Sequence, residues 1–130
     1  MNRTNVASGS DFEKFIGFSR AVRAGDYIHV SGTAPIGDDG KTAFAGDLYR
    51  QTVRCIEIMQ KAIEEAGGSL GDVIRPRVFL TNISSWEDAA KAHGEFFQEI
   101  RPACTFLDVS GFIDPDCLVE MEADCIINFD

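Results

Sequence analysis

The chain has no uninterrupted apolar run of the roughly 18 residues that a membrane-spanning helix requires. Its first ten residues, Met1 to Ser10, are polar and lack the apolar core of a secretory signal. Positive charge is scarce. Lys and Arg number 12 against 21 Asp and Glu, so the net charge is −9. A surface of that sign repels a phosphate backbone, which argues against a primary nucleic-acid role. The four cysteines, at 55, 104, 117 and 125, form no Cys-x-x-Cys pair and match no zinc-finger or zinc-ribbon spacing. Two histidines, His29 and His93, add too few ligands to make a metal site the expectation. Without an export signal the expected setting is cytoplasmic, with reduced thiols. The sequons at Asn2 and Asn82 are then chance matches. Walker and Gly-x-Gly-x-x-Gly patterns are also missing, as are repeats, low-complexity tracts and linkers.

What remains is ordinary globular composition: 130 residues, 45% hydrophobic and 25% charged. A single domain spanning 1–130 can bury roughly two-thirds of its unfolded surface and needs no covalent staples. Gly25-Asp26 turns into a strand at Tyr27–Thr33, and Ala34-Pro35 with Gly37 to Gly40 turns out of it. Phe15 to Arg23 is read as its partner strand. Asp47 is placed to cap a long helix whose buried stripe is Leu48, Thr52, Cys55, Ile56, Met59, Ala62, Ile63 and Ala66, stopped by Gly67-Gly68. A third strand follows over Val73–Asn82, with Ile74, Val78 and Leu80 on one face and Arg75, Arg77 and Phe79 on the other. Pro76 marks an edge or irregularity in it.

Ser85 with Asp88 opens a second helix from Trp86 to about Ile100, with Trp86, Ala89, Ala90, His93, Phe96 and Phe97 inward. Two strands, Cys104–Val109 and Leu118–Asn128, finish the chain. In the last, Val119, Met121, Ala123, Cys125 and Ile127 alternate with Leu118, Glu120, Glu122, Asp124 and Ile126. The expected fold class is α+β, a mixed sheet with both helices on one face. That leaves Phe79 and Phe106 on the other face among charges. A second copy of the chain would cover them, so homo-oligomerisation is expected.

Several side chains could carry chemistry. Glu120, flanked on its face by Glu122 and Asp124, is either a solvated acid paired with Arg75 or Arg77, or a general base with a raised pKa. Cys104 is either a small apolar residue or a thiol that Arg101 could activate. Ser31-Gly32-Thr33 is either a strand end or a place where backbone and hydroxyl meet a ligand, since Gly32 allows close approach. His93 reads as a core or interface residue, and His29 as one facing a partner.

The order of segments is more specific than any of these alone. It runs from IGFSRAVRAGDYIHVSGTAPIGDDG through LYRQTVRCIEIM and AGGSLGDVIRPRVFLTNISSWEDA to RPACTFLDVSGF and LVEMEADCI. It resembles the Rid family (reactive intermediate deaminases, also called YjgF or endoribonuclease L-PSP) from about Ile16 to Ile127. The most specific stretches are Val30-Ser31-Gly32, Ala66 to Val73 and Val119 to Ala123. The resemblance implies a chorismate-mutase-like fold and a homotrimer with small-molecule pockets between subunits. It implies hydrolysis of imines and enamines to oxo acids and ammonia, without a metal or organic cofactor.

In the deaminating members an arginine within Pro-Ala-Arg-Ser/Thr clamps the substrate carboxylate. Here that motif reads Pro102-Ala103-Cys104-Thr105. The family's glutamate, which activates water, matches Glu120. Ser31 and Gly32 match its substrate-binding strand end. The family's Gly-Pro-Tyr-Ser reads Ile16-Gly17-Phe18-Ser19, so Phe18 lacks the tyrosine hydroxyl. Ala90 and His93 replace an asparagine and an aromatic residue. The resemblance thus implies catalysis by Glu120 and a pocket formed by Phe18, Ser31, Gly32, Cys104 and Thr105, with altered specificity. Arg20 and Arg77 are the other guanidinium groups that three dimensions could bring to it. The alternative is a non-catalytic trimer that binds a small metabolite. The charge of −9 argues against the ribonuclease activity in the family's older name.

Overall fold

The computed structural model describes residues 2–127. Its sheet has six strands: β1 (Arg3–Val6), β2 (Ala21–Ala24), β3 (Tyr27–Thr33), β4 (Val73–Leu80), β5 (Thr105–Asp108) and β6 (Val119–Ile126). They lie in the order β1-β2-β3-β6-β4-β5. Only β4 and β5 are parallel, and α3 (Trp86–Phe97) makes the crossover between them. The long helix α2 (Leu48–Glu65) packs beside α3 on the same face. The architecture is the expected α+β mixed sheet with helices on one face. No helix among the described residues is long and apolar enough to cross a membrane.

α2 begins where Asp47 accepts the Arg50 N–H at 3.0 Å, satisfying a donor that the first turn leaves orphaned. Every residue of its expected stripe is buried, and Gln51 joins it. The helix ends at Gly67, whose φ of 96° suits glycine. At Gly68 a Cβ would lie 2.9 Å from Ile28 Cδ1, so a larger residue would have to push that side chain aside where the helix end meets the sheet. From the sheet, Ile28, Val30, Val78, Leu80, Val119, Met121, Ala123 and Cys125 meet this stripe. In β6 the alternation holds: residues 119, 121, 123, 125 and 127 are buried, and their neighbours are half-buried. Asn128 lies outside the described residues.

Several expectations are corrected. Phe15 to Arg23 is not one strand. Ser10 caps a short helix α1 (Asp11–Ile16) by accepting the Phe12 N–H, Gly17 ends it at φ 93°, and β2 starts only at Ala21. β1, in the polar N-terminal stretch, pairs with β2 although it carries few apolar residues. Ile74 is exposed because the β4–β6 register slips between Val73 and Arg75, which puts Val73 and Pro76 inward instead. Pro76 lies beyond the β4–β5 pairing, which starts at Arg77 opposite Thr105. Trp86 points outward, and Ala92 takes the inward place.

Phe106 faces the helices, not the open face. It pairs with Val78, packs on the core and meets His93 ring to ring at 6.0 Å. Leu107, opposite Phe79, is the open-face residue of β5. The last two strands and β4 are shorter than expected. β5 begins after Cys104, and Asn82 leaves β4 to accept the Ser84 N–H in the following turn.

Candidate functional site

The open face of the sheet is built from β3, β6 and β4, and its charges sort themselves by register. Arg77 faces Glu122 across β4–β6. Its Nη1 sits 3.2 Å from Glu122 and 3.3 Å from Asp124. His29 Nδ1 lies 2.9 Å from the same Asp124. Glu120, opposite Phe79, is outside this network. It accepts no hydrogen bond from the described residues, so the pairing with Arg75 or Arg77 is not how it is held. Its carboxylate is half-buried. Burial pushes its pKa up, and the nearby Arg20 guanidinium pulls in the opposite sense.

The other side of Glu120 is an irregularity. The β3–β6 register shifts between Val30 and Thr33, so Ser31 and Gly32 fall out of the ladder. Gly32 leaves space that Glu120 uses: a Cβ there would lie 3.3 Å from Glu120 Oε1. Ser31 Oγ donates to the Ser19 carbonyl at 2.6 Å, and its backbone N–H donates to the Arg20 carbonyl at 3.0 Å. Arg20 in turn donates from Nη2 to the Gly32 carbonyl. Its Cζ stands 5.6 Å from the centre of the Phe18 ring, within cation–π range. Phe18, Ser19 and Ser31 line one open hollow of about 510 Å³ together with Arg3, Lys14 and Val22.

A buried side chain supports the site from behind. Gln51 on α2 donates to the carbonyls of Ala43 (3.1 Å), Phe44 (3.3 Å) and Asp116 (2.9 Å). It accepts the Leu118 N–H at 2.8 Å, two residues before Glu120. Gln51 thus ties two loops to the helix and sets where β6 begins.

The remaining expected site residues lie elsewhere in the chain. Cys104 and Thr105 are exposed at the start of β5, level with Pro76 and Arg77 of β4. From Glu120 this is two strands across and three residues along, about 10 Å in each direction. The Cys104 sulfur is lodged far enough into protein that desolvation raises its pKa. At neutral pH it stays a thiol. His93 packs 4.6 Å from Phe97, and its Nε2 is buried without a partner among the described residues. Burial lowers its pKa.

Residues 9–127 match the model of the family described as Endoribonuclease L-PSP. The chain belongs to the Rid family. A protein of Streptomyces coelicolor is 40% identical over 92% of this chain and 88% of its own. The 3-aminoacrylate deaminase RutC of Acinetobacter baylyi is 32% identical over 78% of this chain and 79% of its own. Among solved structures, a YjgF/YER057c/UK114 family member from Mycobacterium tuberculosis superposes with a TM-score of 0.88 at 39% identity. That match covers 97% of this chain and all of the other.

Within one Rid chain, then, Glu120, Gly32, Ser31 and Phe18 come together, while Cys104 and Thr105 form a separate patch. Arg20 is part of the first group although its position falls outside the Pro102-to-Thr105 motif. The sequence names Arg20 as one of two further guanidinium groups, and its phase is the signal that singles it out from Arg77. Arg20 stands next to buried Ala21, directly before a strand, and so points to the open face with Ser31.

Proposed function

We propose that the protein hydrolyses the C–N bond of small imines or enamines. Water adds to the C=N carbon while Glu120 takes its proton. For an imine that arrives protonated, the carbinolamine nitrogen takes that proton back from Glu120, the hydroxyl gives its own proton to the carboxylate as C=O forms, and ammonia leaves. Atoms balance as imine plus water to carbonyl compound plus ammonia. No cofactor is called for, because the electrophile is already activated and the base is on the chain. The observation that carries this reading is the half-buried Glu120 carboxylate at the β3–β6 bulge, with no hydrogen-bond partner among the described residues and seated in the space that Gly32 leaves. The name of the Acinetobacter relative, a deaminase of 3-aminoacrylate, fits this chemistry.

The working unit we infer is a homotrimer. The patch with Cys104 and Thr105 on one copy would complete the pocket begun by Glu120, Ser31, Gly32 and Phe18 on its neighbour. With cysteine where the deaminating relatives hold an arginine, and phenylalanine in place of a tyrosine, substrate choice differs from theirs. Ammonia release from a panel of imines, generated in place from amino acids, tests the proposal. Glu120→Gln should lower turnover by at least a hundredfold. Unchanged turnover in that variant would sink it. A second reading, a trimer that only binds a metabolite, is favoured by Cys104. It predicts thermal stabilisation by a ligand without any turnover.

A further inference from the structure

Arg20 stands beside Glu120 without an ion-pair partner. Among the described residues the ion pairs engage Arg50, Arg54, Arg77 and His29, so no carboxylate oxygen comes within 4.0 Å of the Arg20 nitrogens. One terminal nitrogen is tied to the Gly32 carbonyl, which fixes the side chain in place. Nε is out of reach of water and has no acceptor. Glu13 and Glu120 act on the guanidinium through the field alone, without touching it. A guanidinium keeps its proton at any ordinary pH. The site therefore holds a fixed, partly dehydrated cation with donors to spare, a state that is costly unless an anion meets it.

In a 2-imino acid the carbon that water attacks is bonded directly to the carboxylate carbon. Whatever clamps that carboxylate must lie close to the group that activates the water. Arg20 meets this condition within one chain. Cys104 of the same chain lies some 10 Å along the sheet and as far across it, and in the proposed trimer that position brings a thiol, not a guanidinium, to the pocket.

We propose that Arg20 is the carboxylate-binding residue of this site, so that the substrates are small 2-imino or 2-enamino acids held by their carboxylate on Arg20 with the reacting carbon toward Glu120. This rests on the reading of Glu120 as the water-activating group. The free N–H groups of Arg20 supply a charge-assisted fork. Phe18, lying against the guanidinium, supplies an apolar wall for a short side chain.

The test is titration of the intact protein with 2-oxobutanoate, which has the shape of a product, and with its neutral isostere 2-oxobutanamide. The wild type should prefer the acid by tenfold or more. Arg20→Gln should lose about ten- to a hundredfold in acid binding and leave amide binding alone. Arg20→Lys, which keeps the charge without the fork, should fall between, and it decides the matter if Arg20→Gln melts early. Arg50→Gln, which removes an exposed guanidinium at the start of α2 that pairs with Asp47, should bind the acid as the wild type does. Equal binding of acid and amide by the wild type overturns the proposal. So does undiminished acid binding in Arg20→Gln, or an equal loss in Arg50→Gln. Glu120→Gln separates the two readings. If it still hydrolyses imines, the role of Glu120 fails while acid binding to Arg20 can stand.

Discussion

Replacing Gln51 by leucine tests whether one buried amide holds the site's scaffold together. The two side chains are similar in volume, so the cavity term is small and the cost lies in hydrogen bonds. Phe44 O also accepts the Asp47 N–H, so it keeps a partner. The Ala43 and Asp116 carbonyls and the Leu118 N–H lose theirs. Each orphaned group costs up to about 1–3 kcal/mol where it is shielded from water, and the exposed loop around Asp116 recovers part of this. The expected loss is therefore about 3–5 kcal/mol. For 130 residues the unfolding entropy near the midpoint is about 0.27 kcal/mol per degree, so Tm should drop by about 11–18 °C. Calorimetry and urea unfolding should agree on this value. Because Leu118 leads directly into β6, the variant should also lose Glu120-dependent turnover at temperatures where it is still folded. A loss below about 1 kcal/mol would refute the claim that Gln51 is the tie between helix and loops.

Two further outcomes follow from the titrating groups. Burial raises the Glu120 pKa in the folded chain, so the folded state holds that proton more tightly than the unfolded one. Stability from this group is fully present below the unfolded carboxylate pKa and is lost as pH rises through the folded value. Glu120→Gln should thus melt higher than the wild type at neutral pH, with the gap closing as pH falls below about 4. A gap that does not change with pH contradicts the assignment. For the thiols, Cys117 and Cys125 are pushed up to about 12 and Cys55 is fully buried. Only Cys104 should react with iodoacetamide in the native protein, with a midpoint above that of a free cysteine. Rapid labelling at pH 7 would instead restore an activated thiolate.

The parts of the fold that were readable from the chain are those where one periodicity decides the outcome. The apolar stripe of α2 and the alternation of β6 each specify a buried face without reference to any neighbour. β5 shows where this stops. Its four residues carry too short a pattern to set their own phase. Only the parallel register with β4 turns Phe106 inward and Leu107 outward. The Ile74 reading failed for a related reason, since a bulge inverts the alternation and leaves no mark in residue type. Gln51 went unread because a polar side chain in an apolar stripe resembles noise until its four partners are in place. At the site, Glu120 could be named from the family motif, but whether Arg77 pairs with it or with Glu122 depends on a one-residue register. The signals for α1, Ser10 and Gly17, were in the sequence. They were outweighed by a run of Phe15, Ile16 and Phe18 that reads as strand, yet Phe15 is 89% exposed.

The same register explains why one acid on this face differs from the others. Arg77 bridges Glu122 and Asp124, offsetting one of their two charges, and His29 adds a second contact to Asp124. With both acids held by Arg77, the face bearing Tyr27, Phe79 and Leu107 can be covered by another copy at lower electrostatic cost than if they stood unpaired. Tyr27 is 51% exposed and Leu107 39% exposed in the single chain, so apolar area is available for that purpose. Glu120 is left over at the end of the row, where Ser31 and Gly32 leave the ladder and no arginine touches it. In the proposed trimer, closing the face would remove water from around Glu120 and Arg20 together. That would strengthen the field of the cation on a bound carboxylate and raise the Glu120 pKa further toward the range useful for moving protons. Assembly and reactivity would then share one cause, and dilution below the assembly threshold should silence turnover before it unfolds the chain.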